Sequence, residues 1–159
     1  MNTNKGNTAF FTGHRKLSQK KIEKIVKKLN EEVDRLIGLG VTDFMSGFAI
    51  GYDQICASLI VAKKQQGANI RLIAALPCYN QDEKWTDRQK ELYSSLLGEA
   101  DEVIYVSEEY SHDCMKKRNY YMVDNSSYCI CALVRDISGT GQAVRYAKEQ
   151  GLEVVNVAK

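Results

Sequence analysis

Ser46-Gly47-Phe48-Ala49-Ile50-Gly51-Tyr52-Asp53 joins an apolar run, residues 42–45, to a helical pattern, residues 54–64. Two glycines four residues apart at such a junction let the backbone bend sharply and approach a ligand closely. The helix that follows offers unpaired N–H groups and the positive end of its dipole, which suit phosphate or another anion. This stretch therefore predicts a strand, an anion-binding turn and a helix.

A second glycine turn occurs late in the chain. Ser138-Gly139-Thr140-Gly141 lies between the strand-like residues 129–134 and the helical residues 142–150. It is the better phosphate candidate because it opens a helix directly after a buried strand, although glycine also suits any tight corner. Neither turn matches GxGxxG or the P-loop lysine pattern, so a dinucleotide dehydrogenase or an NTPase is not indicated.

Apolar runs alternate with helical patterns along the whole chain. Strands are predicted over residues 8–12, 42–45, 70–76, 101–106, 128–134 and 153–157. Helices are predicted over residues 18–37, 54–64, 86–97, 116–126 and 142–150. This order predicts the α/β class, with a mostly parallel six-stranded sheet between two helical layers. Ligands bind such sheets beyond the carboxyl ends of the strands, where both glycine turns lie.

The composition predicts one domain over residues 1–159, a length that buries roughly 70% of the unfolded surface. The net charge of +2 gives no reason to expect polyanion binding from bulk electrostatics. No apolar run approaches the ~20 residues that span a bilayer, and residues 1–7 are polar, without a secretory core. The five cysteines suggest no disulfide framework. We therefore expect a cytoplasmic protein with no membrane partner.

Side chains near the turns are candidates for ligand contact. Arg15 can bind an anion with its fork of donors, although a surface arginine needs no ligand. Arg118 and Asn119 begin the helix before the fifth strand, where an arginine can point into a cleft. Asp53 either stabilises the dipole of its own helix or hydrogen-bonds a ribose or an amine.

The remaining polar and aromatic candidates each have a structural alternative. We expect His14 to pack or to cap its turn rather than to catalyse a reaction. Trp85 and Tyr79, in the loop after the third strand, either stack on a base or pack the loop over the core. The histidines and acids show no metal-ligand spacing, so no metal and no cofactor is predicted.

A basic run occupies the first predicted helix and the turn before it. Seven basic residues stand against Glu23 alone: Arg15, Lys16, Lys20, Lys21, Lys24, Lys27 and Lys28. Most of them fall on the polar side of the helix. The run is therefore either a solvated face or a basic stripe for nucleic acid.

Taken together, several segments resemble a known family. They are, in matching order, Thr12-Gly13-His14-Arg15, Ser46-Gly47-x-Ala49-x-Gly51-x-Asp53-Gln54, Leu76-Pro77 with Gln81 and Lys84-Trp85, Arg118-Asn119-x-x-Met122-Val123-Asp124, and the Gly139-Thr140 turn. The pattern resembles the YpsA-like proteins, a bacterial group of the SLOG superfamily, over nearly the whole chain. The resemblance implies a Rossmann-like three-layer sandwich.

Within the superfamily the resemblance points in two directions. The Ser46 to Asp53 stretch is similar to the corresponding turn of DprA, which binds single-stranded DNA. The Met115-x-x-Arg118-x-x-x-Met122 segment with the Gly139 turn is similar to LOG, a phosphoribohydrolase that frees cytokinin bases from their nucleotides. The resemblance implies that Arg118 binds ligand. LOG has a catalytic glutamate where this chain has Gln142 and Ala143, and glutamine cannot take a proton at neutral pH.

We predict a protein that binds a nucleotide-derived small ligand, with its phosphate at the second glycine turn. Two alternatives stay open. One is an enzyme acting on a nucleoside monophosphate, with Asp53, Asp124 or Glu83 supplying the acid; the other is a nucleic-acid or protein-interaction module that uses residues 15–28. Turnover and a homodimer also stay open. The predicted ligand-binding residues are Gly13, Arg15, Ser46, Gly47, Gly51, Asp53, Arg118, Asn119, Gly139, Thr140 and Gly141.

Overall fold

The computed structural model describes residues 4–159, so residues 1–3 of the predicted single domain lie outside it. Its strands are β1 Thr8–Gly13, β2 Asp43–Ser46, β3 Arg71–Leu76, β4 Glu102–Tyr105, β5 Tyr128–Ala132 and β6 Glu153–Asn156. Its α-helices are α1 Gln19–Gly38, α2 Tyr52–Gln65, α3 Asp87–Gly98, α4 Cys114–Asp124 and α5 Gly139–Glu149. A short 3-10 helix, Lys5–Asn7, precedes β1.

The six strands form one sheet in the order β4-β3-β2-β1-β5-β6, and every pairing is parallel. The chain builds outward from β1 to β4 and then returns to add β5 and β6 on the other side. The direction of winding therefore reverses between β1 and β5. In open α/β sheets the carboxyl ends of the strands at such a reversal form a crevice that binds ligands.

Alternating side chains of the sheet fill two apolar layers. Phe11 and Phe44 pack on one face against residues of α1, α2 and α3. Phe10 and Met45 pack on the other face against residues of α4 and α5. Both faces of the central strands are thus covered, which explains their near-continuous apolar sequences. The predicted α/β, Rossmann-like three-layer sandwich is confirmed.

Helix α1 shows how sequence pattern sets an element. Its buried side chains, Ile25, Leu29, Val33 and Leu36, recur every three or four residues along one face. Ser18 is the N-cap, and its side chain accepts a 3.3 Å hydrogen bond from the Lys21 N–H. No helix within residues 4–159 is long and apolar enough to cross a membrane.

Several element ends differ from the predicted ones, and for α5 and β5 the reason is local. Helix α5 begins at Gly139 instead of residue 142 because Ser138 caps it, accepting a 3.0 Å hydrogen bond from the Gly141 N–H. Strand β5 ends at Ala132 instead of residue 134, because the Leu133 N–H and C=O both bond the Asn156 side chain at 3.0 Å. Helices α2 and α4 also begin two residues earlier than predicted.

Candidate functional site

A cleft of about 240 Å³ opens at the carboxyl ends of β1 and β5, where the winding of the sheet reverses. We call it the β1–β5 cleft. Seven of the predicted binding residues lie in its wall, and Ser46, Gly47, Gly51 and Gly141 do not. The lining residues are Thr12, Gly13, His14, Arg15, Ala49, Asp53, Met115, Arg118, Asn119, Ser138, Gly139 and Thr140.

The turn after β1 forms one wall and is held by close backbone packing. A Cβ atom at Gly13 would lie 2.3 Å from the Tyr52 ring, and a Cβ at Gly51 would lie 2.4 Å from the Arg15 carbonyl oxygen. Gly51 also has a φ of 94°, a conformation that side chains disfavour. Both glycines are therefore needed to bring the start of α2 against this turn. Arg15 follows the turn and is exposed at the cleft.

His14 joins the turns that follow β1 and β5. Its Nε2 atom accepts hydrogen bonds from the N–H groups of Val134, at 2.9 Å, and Arg135, at 3.2 Å. Burial lowers the pKa of His14, and the charges of Arg135 and Lys21 lower it further. His14 is thus buried and packed, as expected, and its imidazole caps the turn after β5 instead of its own turn.

Ser46 and Gly47 lie behind the cleft, so the structure does not bring them to the ligand position that the sequence suggested. The Ser46 hydroxyl donates to the Asp53 backbone carbonyl at 2.9 Å and accepts from the Phe48 N–H at 3.2 Å. The Gly47 carbonyl accepts hydrogen bonds from Arg118 Nη1, at 2.9 Å, and from Gln81 Nε2, at 3.2 Å. These two residues fix the turn that carries Asp53 and support the guanidinium of Arg118.

Arg118 forms the floor of the cleft and is only 4% exposed. Its Nη1 also donates to the Ala75 carbonyl at 3.3 Å, and its Nε donates to Asn119 Oδ1 at 2.9 Å. Burial lowers the pKa of Arg118, yet an arginine keeps its charge in a protein. Backbone carbonyls and Asn119 thus hold a permanent positive charge at the base of the cleft.

Asp53 is the second buried charged group of the cleft and is 6% exposed. Its Oδ1 atom has no hydrogen-bond partner among residues 4–159. Burial raises the pKa of Asp53 to about 6, although the Arg118 charge, the Ala49 N–H and the Arg15 charge each act to lower it. A buried carboxylate oxygen without a partner is costly, which is why burial favours the protonated form of Asp53.

The N-terminus of α5 forms the opposite wall. Ser138 Oγ accepts from the Gly141 N–H and donates to the Arg135 carbonyl at 2.6 Å. A Cβ at Gly141 would lie 1.9 Å from the Asp136 carbonyl oxygen, so this glycine is needed for the close turn. No acidic residue occupies the first turn of α5. The positive end of an eleven-residue helix therefore faces the cleft through Gly139 and Thr140.

A second cavity, of about 530 Å³, adjoins the β1–β5 cleft and shares Arg15 and Met115 with it. We call it the Trp85 cavity. Trp85 lines it and packs edge-to-face on Tyr93, with ring centroids 5.0 Å apart. Tyr79 is not among its lining residues and packs against Tyr105 instead, with ring centroids 4.2 Å apart and the rings tilted by 31°. The other residues of this cavity are Asn80, Gln81, Glu83, Lys84 and Tyr110.

The three acids considered for catalysis lie in different places. Asp53 lines the β1–β5 cleft. Glu83 lies in the Trp85 cavity and accepts a 2.9 Å hydrogen bond from Asn80, whereas Asp124 accepts one from the Tyr146 hydroxyl at 2.7 Å. Gln81 donates to both the Gly47 carbonyl and the Tyr93 hydroxyl, a supporting role that was not predicted although Gln81 is part of the family resemblance.

Comparison of the sequence with known proteins identifies the family of this chain. The model of the YpsA family, described as the YspA SLOG family, matches residues 6–153. The uncharacterized SPbeta prophage-derived protein YoqJ of Bacillus subtilis (strain 168) is 34% identical over 118 residues, covering 67% of this chain and 69% of that protein.

Among solved structures, the DNA processing protein A (DprA) of Helicobacter pylori, described with a single-stranded DNA binding mode, superposes with a TM-score of 0.66 at 14% identity. The alignment covers 95% of this chain and 65% of that one. DprA of Streptococcus pneumoniae superposes with a TM-score of 0.62 at 16% identity, over 92% of this chain and 48% of that one. This chain thus spans about half the length of the latter protein, and the likeness concerns the fold alone. With its family model matched over residues 6–153, the chain belongs to the YpsA, or YspA SLOG, family.

Proposed function

We propose that the β1–β5 cleft binds a nucleotide-derived small molecule through its phosphate. The observation that carries the proposal is the meeting of three positive groups in one cleft: the N-terminus of α5, the exposed Arg15 and the buried Arg118. A helix N-terminus and guanidinium groups are the donors that phosphate prefers in proteins. Thr140 adds a hydroxyl at the same wall.

Asp53 gives the cleft a second kind of recognition. Its carboxyl group lines the same cleft as the positive groups, and its Oδ1 atom has no hydrogen-bond partner among residues 4–159. A ribose hydroxyl beside the phosphate can donate a hydrogen bond to this carboxyl group, whereas inorganic phosphate has no hydroxyl at such a fixed distance. We therefore expect nucleotides to bind more tightly than phosphate alone.

A thermal-shift panel tests the proposal with AMP, ADP, ADP-ribose and NAD. A ligand at about 100 times its dissociation constant adds about 2.7 kcal/mol to the free energy of unfolding, which raises the melting temperature by several degrees. We expect a shift that Arg15→Gln or Thr140→Val diminishes. Arg88→Gln is the matched control, because Arg88 is an exposed arginine on α3. Thermal shifts of wild-type size in both Arg15→Gln and Thr140→Val would contradict the assignment of the site.

A hydrolytic enzyme is the second candidate function, and one observation favours it. Of Asp53, Asp124 and Glu83, Asp53 is the acid that lines the β1–β5 cleft, and its pKa of about 6 suits proton transfer near neutral pH. In hydrolysis of a nucleoside monophosphate, Asp53 would give its proton to the leaving nitrogen as the C1′–N bond breaks. The Asp53 carboxylate would then take one proton from the water that adds to C1′, which restores the acid. Chromatographic detection of free base, lost in Asp53→Asn, would support this reading. Its absence at high protein concentration would count against it.

The proposal also includes a cytoplasmic location and a homodimer. Within the described chain all five cysteines are free and buried, which is compatible with the reduced cytoplasmic setting that we propose. A homodimer is part of the same proposal, and analytical ultracentrifugation of the purified protein measures the oligomeric state.

A further inference from the structure

A basic groove lies on α1, outside the β1–β5 cleft. We call the three lysines at its rim, Lys21, Lys24 and Lys28, the lysine row. They lie three and four residues apart, so they share one side of α1 and span about 10 Å along its axis. The groove has a volume of about 280 Å³, and its other lining residues are Ile25, Val157, Ala158 and Lys159.

The lysine row has no counter-ions within the part of the chain that the structure describes. The ion pairs among residues 4–159 involve other basic groups, namely Arg35, Lys63, Lys64, Arg71 and Lys117. Lys20 and Lys27 on the same helix are also exposed and outside those ion pairs. Five lysines outside any ion pair therefore lie within three turns of helix, with Glu23 as the one acidic residue among them.

These charges do not serve the stability of α1. Its first turn contains no acidic residue, and cations near a helix N-terminus oppose the helix dipole. What holds the helix in place is its buried apolar face, which includes Leu29 and Val33. Lys21 lies in the first turn, where the helix dipole disfavours a cation, and the exposed lysine row is open to an external anion.

The positive surface continues from the lysine row toward the cleft. Lys21 and Arg135 both lie close enough to His14 to lower the pKa of its imidazole, and His14 lines the cleft. Arg15 is exposed at the same rim. The basic surface is thus elongated, and an anion that matches it must carry several charges in a line.

We propose that the lysine row binds the phosphodiester backbone of single-stranded nucleic acid. A row of lysines along a concave groove suits a single backbone, whose phosphates follow one another at short intervals. A membrane surface fits less well, because a membrane-binding helix presents an apolar face to lipid and the apolar face of α1 is buried against the sheet. This site is separate from the nucleotide site of the cleft.

Fluorescence anisotropy with a labelled oligothymidylate, measured over a series of salt concentrations, tests the proposal. We expect the logarithm of the association constant to fall linearly with the logarithm of the salt concentration. The variant Lys21→Gln/Lys24→Gln/Lys28→Gln should reduce that slope by about 2, since each phosphate contact contributes about 0.7 for a single strand. Its AMP-induced thermal shift should stay unchanged, which separates this site from the cleft.

The control variant is Arg88→Gln/Lys117→Gln/Lys148→Gln, which removes the same charge from exposed positions on α3, α4 and α5. It should retain the wild-type slope. Absence of binding at low salt, or an equal loss of slope in both triple variants, would overturn the proposal. So would equal competition by a duplex of the same length, or row-dependent binding to phosphatidylserine vesicles without binding to the oligonucleotide.

Discussion

Arg118 Nη1 donates a 2.9 Å hydrogen bond to the Gly47 carbonyl, and a Cβ atom at residue 47 would lie 2.1 Å from that same nitrogen. The absence of a side chain at Gly47 therefore makes room for the buried guanidinium. Gly47 thus supports the β1–β5 cleft through Arg118. The sequence had suggested instead that Gly47 contacts the ligand directly.

Gly47→Ala should destabilise the protein by about 1–3 kcal/mol, because the new methyl group forces Arg118 from its buried position. Urea denaturation monitored by circular dichroism measures the change. Gly98→Ala is the control, since nothing lies within 4 Å of a Cβ at that helical position. Equal stability of Gly47→Ala and the wild type would mean that Arg118 does not occupy the position described.

Asp53 should make the free energy of unfolding fall as the pH rises. Its pKa is about 6 in the folded protein, against an ordinary value of 3.8, so the folded state binds the proton more tightly. The stabilisation is present below about pH 4 and is lost as the pH rises through about 6, at a cost of about 3 kcal/mol.

The variant Asp53→Asn removes this titration and keeps the shape of the side chain. The difference in free energy of unfolding, variant minus wild type, should therefore increase from pH 4 to pH 7. Urea titrations of both proteins at several pH values measure it. A difference that does not vary with pH would show that the carboxyl group is solvated.

His14 should have the opposite pH dependence. Its pKa in the folded protein lies below 6.5, so the unfolded chain binds the proton more tightly. Its contribution to stability is complete above pH 6.5 and is lost as the pH falls through the folded-state pKa. An NMR titration of the imidazole should give a midpoint below 6.5, and a midpoint above 6.5 would contradict the hydrogen bonds assigned to Nε2.

His14→Ala should cost about 1–3 kcal/mol at neutral pH, because the N–H groups of Val134 and Arg135 lose their acceptor. His112→Ala should cost far less, since His112 is exposed. Thermal unfolding of the two variants makes this comparison. Equal losses would assign His14 no special role in joining the two turns.

The sequence predicted the sheet and its helices well because their signals are local. The spacing of Ile25, Leu29, Val33 and Leu36 defines the buried face of α1 without any knowledge of its neighbours. The apolar run that includes Ile73 and Ala74 likewise indicates a strand covered on both sides. The ends of elements were less predictable. Strand β5 stops before Leu133, because the N–H and C=O groups of Leu133 bond the side chain of Asn156 in β6 and not the backbone of that strand.

The site was predictable in location but not in the division of roles. Glycines at Gly13, Gly51 and Gly139 mark the turns at the strand ends, so the edge of the sheet could be identified from the sequence. That Gly47 supports Arg118 depends on a contact between residues 71 positions apart, which no local pattern contains. The unpartnered oxygen of Asp53 likewise results from burial by several elements at once.

The most direct test of the central claim is isothermal titration calorimetry of AMP into the wild type, Arg15→Gln and Arg88→Gln. Our account predicts binding by the wild type and by Arg88→Gln, with affinity about ten- to hundredfold weaker in Arg15→Gln, since a hydrogen bond to a charged group contributes about 1.5–3 kcal/mol. No binding of AMP, ADP or ADP-ribose by the wild type, or equal affinity in all three proteins, would contradict it.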